Sequence, residues 1–491
     1  MIGMHTYIGI DLGTSGMKLL LADGAGTILA QASEEYAVSY PHDGWSEQDP
    51  EDWERAAVRG LQRLLEGQDA SAVRGISFSG QMHGLVVLDD ADRVIRPCIL
   101  WNDGRTEKQT AYLNEQIGRS RLSALTGNIA FAGFTAPKIL WMRENEPENF
   151  SRIRRIMLPK DYLAYRLSGA FCTDYSDASG MLLLDVRNRK WSQEMCEICG
   201  ISVDQLPQLH ESNDAVGTLK PEYAQPLGLS DSVQIVMGAG DNAAAAIGTG
   251  TVEDGSCNVS LGTSGTIFIA SDRFVTDDKN SLHSFCHANG KWHLMGCILS
   301  AASCRKWWLE DILGTENYEE DEKALREADT EGLYFLPYLM GERSPHNNVN
   351  ARGAFIGLSA STTRAQMSRA VMEGVAFAIR DCLEVARQNG VCPAETGLCG
   401  GGARSGAWRQ IMADVLNIPV RIFATEQGPA YGAAILAMVG CGEYESVQAA
   451  VRALQQRSEL IPVSAASKSY QRKYEIFHQL YPALEKVLWK H

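Results

Sequence analysis

Apolar and polar positions follow nearly the same pattern at two places in the chain. Tyr7-Ile8-Gly9-Ile10 and Met17 to Leu21 are strand-like runs, and Leu12-Gly13-Thr14-Ser15-Gly16 lies between them. About half a chain later Leu261-Gly262-Thr263-Ser264-Gly265 repeats that turn, between Cys257-Asn258-Val259-Ser260 and Thr266-Ile267-Phe268-Ile269. Each copy predicts strand, glycine-rich turn, strand, which is a β-hairpin. Two like hairpins so far apart predict two like domains.

Helical and strand patterns alternate around both hairpins. Asp49 to Glu66 predicts a helix with Asp49 as cap, Pro50 in the first turn and Glu51 and Asp52 at the positive end. Trp53, Ala57, Leu61 and Leu64 then share a face. Gly75 to Phe78 and Leu85 to Leu88 predict strands joined through Ser79-Gly80-Gln81-Met82-His83-Gly84. Val233 to Met237 predicts a strand that runs through Gly238-Ala239-Gly240 into Asp241 and an alanine-rich helix. In the second half, helices are predicted over Leu299 to Leu309, Met367 to Arg387, Trp408 to Leu416 and Pro429 to Val439. Strands are predicted at Leu333 to Leu339, entering Gly341-Glu342-Arg343-Ser344-Pro345-His346, and at Leu398-Cys399, entering Gly400-Gly401-Gly402. Mixed elements in each half indicate an α/β class. The boundary falls near Glu253-Asp254-Gly255, giving an N-terminal domain over 1–252 and a C-terminal domain over 253–491. No long linker separates them, so the halves are expected to abut across a cleft.

Composition narrows the function. A chain of 491 residues is too long for one ordinary core, and its 45% hydrophobic and 21% charged residues are ordinary for a globular protein. A net charge of −15 argues against a nucleic-acid partner. It still admits a nucleotide held by backbone N–H groups and a metal ion. No run approaches the apolar length that crosses a bilayer, and Met1 to Tyr7 lacks the regions of a signal peptide, so a cytoplasmic protein without a membrane partner is expected. Met1 to His5 reads as a ragged extension. The twelve cysteines read as reduced, buried thiols, and the single CxxC at Cys196 and Cys199, with no second pair to complete a zinc site, reads as two thiols one helical turn apart.

The glycine turns carry the first chemistry. A Gly-Thr-Ser-Gly turn presents successive backbone N–H groups as an anion nest, and the hydroxyls add donors. One such turn is compatible with an ordinary hairpin; two matched turns in two matched halves can clamp a polyphosphate. This marks Gly13, Thr14, Ser15, Gly262 and Thr263 as candidate contacts to a nucleotide polyphosphate. Asp11 precedes the first turn and Ser260 the second. A carboxylate beside a phosphate cradle requires an intervening cation, so Asp11 reads as a Mg²⁺ anchor acting through water, or otherwise as a turn cap. Neither loop is a Walker P-loop or a dinucleotide fingerprint, since a strand follows each. Gly401, Gly402 and Ser405, between a strand and a helix, let a flat ring or phosphate approach the backbone, or simply make a tight turn.

Phosphorylating an alcohol needs a placed hydroxyl, a carboxylate to take its proton, and positive charge on the transferred group. Asp241 suits the carboxylate, since it sits where a strand ends and a helix begins, with room left by the preceding glycines. The helix N-terminus is expected to keep it ionised; the plainer alternative is a helix cap. Gln81-Met82-His83 offers a hydrogen-bonding and packing surface for a sugar, or holds a structural histidine. Trp101, in Trp101-Asn102-Asp103-Gly104-Arg105, walls the same pocket or anchors a polar loop.

On these residues the chain resembles the FGGY carbohydrate kinases over nearly its whole length. The likeness rests on Ile8 to Gly16 and Ser260 to Gly265, on Gly133-Phe134-Thr135-Ala136-Pro137-Lys138-Ile139-Leu140-Trp141, and on Gly353-Ala354-Phe355-Ile356-Gly357-Leu358 through Glu373. Gly80 to Gly84, Leu158-Pro159-Lys160-Asp161-Tyr162, Gly240 to Ala244, His283-Ser284-Phe285-Cys286-His287 and Gly341 to Asn347 are most similar to members acting on D-xylulose. The resemblance implies two ribonuclease-H-like domains of the actin-like ATPase fold with an inter-domain cleft. It implies Asp241 as proton acceptor, and Met82, His83, Asp241 and Asn242 as ketose contacts. Asp11, with Asp241, would place Mg²⁺; Thr14 and Thr263 would meet phosphates; Gly401 and Ser405 would lie on the adenosine side. The implied reaction transfers the ATP γ-phosphoryl to O5 of D-xylulose. Glycerol kinases carry Arg-Glu where this chain has Met82-His83, which disfavours glycerol. Another ketose or a pentitol (L-ribulose, L-xylulose), a non-turning sugar sensor, or an actin-like ATPase without a sugar are the rivals. A homodimer is left open.

Overall fold

The computed structural model describes residues 5–423, 428–454 and 458–489; of the expected N-terminal extension only His5 falls within them. Two sheets with one strand order organise the protein.

The first sheet is built from β1 (Thr6–Leu12), β2 (Gly16–Asp23) and β3 (Ile28–Glu35), followed by helix α1 (Pro50–Leu65), β4 (Val73–Gly80), β5 (Ala215–Thr218) and β6 (Gln234–Gly240), which leads into α2 (Asp241–Gly248). Its order is β5-β6-β4-β1-β2-β3. β1, β2 and β3 pair antiparallel, whereas β4 lies parallel to β1 and β6 parallel to β4. α1 begins as its sequence predicts: the Asp49 carboxylate accepts the N–H of Glu51, Pro50 occupies the first turn, and Trp53, Ala57, Leu61 and Leu64 are buried.

The second sheet contains β7 (Cys257–Leu261), β8 (Gly265–Ser271), β9 (His283–Cys286) and β10 (Trp292–Ile298). Helix α3 (Arg364–Gln388), β11 (Thr396–Cys399), α4 (Gly406–Leu416), β12 (Val420–Phe423), α5 (Pro429–Gly440), β13 (Ser458–Ile461) and α6 (Ser467–Leu488) complete this half. Its order is β9-β10-β8-β7-β11-β12-β13. β10, β8, β7, β11 and β12 therefore repeat the arrangement of β3, β2, β1, β4 and β6, antiparallel first and parallel after. Both glycine turns close hairpins, with Leu12 opposite Met17 and Leu261 opposite Gly265.

The two halves are not separate bodies. α5 comes from the C-terminal half of the sequence yet lies on the first sheet, where a Cβ at Gly9 would stand 1.9 Å from the carbonyl oxygen of Ala430. Tyr7, Leu20, Ala243, Ile247, Ala434 and Ile435 form a shared core at this junction. On the other side, Phe285, Cys286 and Met295 of the second sheet are buried in the core of the long segment between β4 and β6. The helix expected over Leu299 to Leu309 starts at Ala302. Ala301 and Ala302 instead donate their N–H groups to Thr263 and Gly262, which ties this segment to the second glycine turn. Among the described residues no helix is long and apolar enough to cross a membrane.

Candidate active site

The parallel strands of the first sheet end together, and their register collects the candidate residues. Asp11 on β1 lies opposite Ser79 on β4, and Gly80 opposite Gly240, so Asp11, the Gln81 loop and Asp241 meet at the carboxyl edge of one sheet. Close packing requires the glycines before Asp241. A Cβ on Gly238 (φ +80°) would stand 2.0 Å from the Phe78 carbonyl oxygen, and one on Gly240 would stand 2.9 Å from the Met82 sulfur.

Asp241 is the first residue of α2, half-buried, and the preceding Gly240 is the cap residue. Its Oδ1 accepts the Asn242 N–H at 2.7 Å and the Asn242 side-chain amide at 2.9 Å. Its Oδ2 has no hydrogen-bond partner among the described residues. Burial, and then the negative charge of Asp11, push its pKa up to about 7, against the two bonds from Asn242. The helix N-terminus does not keep Asp241 at an ordinary carboxylate value: desolvation and a like charge outweigh it. Asp11 is raised as well, chiefly by burial, while the Ser79 hydroxyl at 2.9 Å and the charge of Lys18 pull it down.

On the sugar side, Met82 packs against Gly240, and His83 adopts φ +70°. The His83 Nδ1 lies 2.8 Å from the Gly180 carbonyl, and the ring stacks on Phe134 at 4.7 Å. Burial drives its pKa down to about 3, so it is neutral at pH 7. A carbonyl only accepts, so Nδ1 carries the proton and Nε2 is left as an acceptor. The loop carbonyl of His83 accepts from Lys138 Nζ at 2.8 Å and Thr135 Oγ1 at 3.1 Å. Gln81 sits differently. It is buried, its side-chain N–H donates to Gln48 at 2.8 Å, and its side-chain oxygen accepts from the Thr14 hydroxyl at 3.2 Å. The structure thus places it as a strut under the first glycine turn rather than on the pocket surface. Trp101 is 42% exposed and donates its indole N–H to Thr14 Oγ1 at 2.9 Å.

Two cavities open beyond the carboxylates. One of about 770 Å³ is lined by Asp11, Lys18, Thr249, Ser260, Gly400 and Arg404. The next, of about 650 Å³, is lined by Thr263, Gly401, Gly402, Arg404, Ser405 and Trp408, so Arg404 joins the two. The second glycine turn and the Gly401 segment therefore border one space. A Cβ at Gly401 would meet nothing, whereas one at Gly402 would stand 2.7 Å from Leu261. Ser405 caps α4 by accepting the Trp408 N–H. The N–H of Gly13 closes its own turn onto Gly16 at 3.1 Å, and Ser15 is exposed. The proton of the Thr14 hydroxyl is given to Gln81.

Three features escaped the sequence reading. Lys18 lies directly across the hairpin from Asp11 and shares its cavity; the Leu12–Met17 register would have shown it. Lys160 is fully buried with three carboxylates, Asp161 Oδ1 at 2.7 Å, Asp174 Oδ1 at 2.9 Å and Asp177 Oδ2 at 3.7 Å. From Asp174 a bond runs through the Ser176 hydroxyl to the N–H of Gly240, beside Asp241. The third is the side chain of Arg343, which reaches Phe131 of the other half. Lys160 and Arg343 both lie in segments the family likeness had marked, but nothing in those segments shows which groups either side chain meets. Cys196 and Cys199 are buried, unbonded thiols on the helix Gln193–Cys199, as their spacing suggested.

Comparison with known proteins agrees with this geometry. Residues 6–248 match the N-terminal domain, and residues 257–441 the C-terminal domain, of the FGGY family of carbohydrate kinases. A xylulose kinase of Escherichia coli (strain K12) is 42% identical over 482 residues, covering 97% of this chain and 99% of its own. The crystal structure of a xyloylose kinase from Brucella ovis is 41% identical, with a TM-score of 0.94 over 98% of this chain and 100% of that one. That of a gluconate kinase from Lactobacillus acidophilus is 26% identical, with a TM-score of 0.94 over 99% of each chain.

Proposed function

The chain belongs to the FGGY family of carbohydrate kinases, and on that footing we propose that it transfers the γ-phosphoryl group of ATP to O5 of D-xylulose, giving D-xylulose 5-phosphate. The observation that carries the reading is the free Oδ2 of Asp241, beside Met82 and the neutral His83 on one side and the glycine-lined cavities on the other. A carboxylate whose pKa lies near neutrality is matched to accepting a hydroxyl proton. Oδ2 takes the proton from O5 as O5 attacks phosphorus, while Asn242 holds Oδ1. His83 Nε2 accepts from a second sugar hydroxyl, and Met82 covers a carbon face.

The nucleotide tail is read between the two hairpins, with its adenosine towards Gly401, Gly402 and Ser405. Lys18 supplies a positive side chain on the phosphate side, which helps offset charge on the moving group. Among the described residues Asp11 and Asp241 each keep one oxygen without a hydrogen-bond partner, and the charge of Asp11 raises Asp241. A divalent cation relieves that repulsion, and two carboxylates with water completing the shell suit Mg²⁺. When bound, the ion neutralises phosphate charge; the proton transfer belongs to Asp241. We assign the domain division to 1–252 and 253–491, and the protein to the cytoplasm, where its twelve cysteines, none of them in a disulfide, would stay reduced.

The test is a panel of D-xylulose, L-xylulose, L-ribulose, xylitol, glycerol and D-gluconate with coupled ADP detection. Sugar-dependent ADP release with the highest kcat/KM for D-xylulose is expected. A tenfold preference for any other member, or ADP release indifferent to sugar, removes the assignment.

A further inference from the structure

Arg343 stands out because its guanidinium has no ion pair among the described residues; burial pushes the carboxyl of its neighbour Glu342, whose ionised form Arg343 favours, up to about 8, so that group is protonated at neutral pH. The backbone around it is fixed from several directions. Glu342 and Asn348 exchange backbone hydrogen bonds of 2.8 Å in both directions, the Ser344 N–H donates to the Cys297 carbonyl at 2.9 Å, and the Asn347 N–H donates to the Arg343 carbonyl at 2.5 Å. The Glu342 carboxylate accepts the N–H groups of Leu299 at 2.9 Å and Arg343 at 2.8 Å. The half-buried guanidinium, by contrast, makes no hydrogen bond or ion pair among the described residues. Its ring contact is Phe131, at 5.4 Å from the centroid. A partly buried charge with neither partner is costly unless a ligand supplies one.

The direction of the side chain says which ligand. Phe131 contacts Phe134 at 5.3 Å, and Phe134 stacks on His83 at 4.7 Å, so Arg343 and His83 stand on one aromatic wall. The positive charge of Arg343 helps hold both His83 and His283 neutral. The cation thus faces the sugar side and not the phosphate cavities, neither of which it lines. It is also carried by the C-terminal half, whereas Met82, His83 and Asp241 belong to the N-terminal half.

We infer that Arg343 is a specificity-determining residue that binds the end of the sugar remote from the phosphorylated hydroxyl, donating to the C2 carbonyl oxygen of an open-chain ketose. This rests on the function proposed above. With O5 at Asp241, the carbon chain runs past Met82 and His83 towards the aromatic wall. His83 presents an acceptor there, so it pairs with hydroxyls. A guanidinium has donors only, in a planar fork, so a carbonyl oxygen, which only accepts, suits it better than a hydroxyl, whose own proton must be placed elsewhere. The arrangement selects a ketose over the pentitol of the same length. It also explains why the sugar site needs both halves: the N-terminal half holds the reacting end and the C-terminal half grips the other.

The experiment uses the full-length enzyme with Arg343→Met and Arg343→Lys. Three quantities are measured: KM for D-xylulose, KM for ATP, and Ki of xylitol, which lacks the carbonyl, as a competitor of the sugar. Loss of one charged hydrogen bond predicts a rise in KM for D-xylulose of about ten- to a hundredfold in Arg343→Met. KM for ATP and Ki for xylitol should stay within about twofold. Arg343→Lys should fall between, and it also serves if Arg343→Met folds poorly. A KM for D-xylulose within twofold of the parent, or a xylitol Ki that rises in step with it, overturns the inference. A parent enzyme that phosphorylates no D-xylulose brings down the functional reading first, and this inference with it.

Discussion

A Cβ atom on Gly432 would lie 1.8 Å from the carbonyl oxygen of Ala244. Helices α2 and α5 therefore cross at a point that only glycine allows, and α2 is the helix that presents Asp241. Gly432→Ala must push the two helices apart. Overpacking of this kind costs about 1–3 kcal/mol. A lower urea midpoint is expected, together with a fall in kcat as Asp241 shifts. A variant with parental stability and turnover would show that the junction yields freely.

Asp241→Asn should abolish sugar-dependent ADP release while ATP binding persists. It should also stabilise the ligand-free protein at alkaline pH. The folded pKa of about 7 lies above the ordinary 3.8, so above pH 7 the folded state holds an ionised carboxylate that the unfolded chain would solvate better. As pH falls from 7 towards 4 the folded state takes up the proton and the penalty fades; below about 4 it is gone. The variant's advantage, on the order of 4 kcal/mol at pH 8, should therefore vanish near pH 4. Urea midpoints of both proteins at the two pH values, without nucleotide or metal, measure it; equal midpoints at pH 8 would contradict the raised pKa.

The same carboxyl should shape the rate. Only the ionised form accepts a proton, so kcat/KM for the sugar falls on the acid side with a slope of one proton. A cation beside Asp11 opposes the push of that charge on Asp241, so the limb lies at or below about pH 7 in the presence of Mg²⁺. An acid limb above about pH 7 in the presence of Mg²⁺, or no acid limb down to pH 4, would exclude Asp241 as the base.

Trp101 is tied to Thr14 of the first glycine turn by the bond of 2.9 Å. Trp101→Phe keeps an aromatic wall but removes the donor. An exposed neutral hydrogen bond contributes about 1 kcal/mol, so KM for both the sugar and ATP should rise about fivefold. Steady-state kinetics in each substrate check this; a change in the sugar KM alone would mean that the bond does not transmit to the turn.

Lys160→Met would leave Asp161, Asp174 and Asp177 buried without their cation. Removing one partner of a buried ionic cluster costs about 3–5 kcal/mol, so a large drop in the urea midpoint is expected. Because Asp174 reaches Gly240 through Ser176, the surviving folded protein should also lose turnover.

Much of the fold was legible because it depends on neighbours in sequence. The Asp49 cap and Pro50 start α1, and the two Gly-Thr-Ser-Gly turns close hairpins whatever surrounds them. The start of α3 moved only from Met367 to Arg364, since its periodicity runs the length of the helix. The helix expected from Leu299 begins only at Ala302 because the Leu299 N–H goes to Glu342 and those of Ala301 and Ala302 to the second glycine turn, both distant in sequence. Gln81 looked like a sugar contact for the same reason: the sequence shows a polar residue in a glycine-rich loop, but not Gln48 and Thr14 waiting for its amide.

The sequence by itself determined the repeated hairpins, the α/β class, the likeness to one kinase family and the carboxylates at positions 11 and 241, because these are set by residue type and spacing. Only the tertiary structure decided what those groups face. It closed α5 from one half onto the sheet of the other, set Asp11 near enough to raise Asp241, and left the Arg343 guanidinium against Phe131 with no ion pair among the described residues. Burial and Coulomb forces act through space, and the chain separates these partners by tens to hundreds of residues.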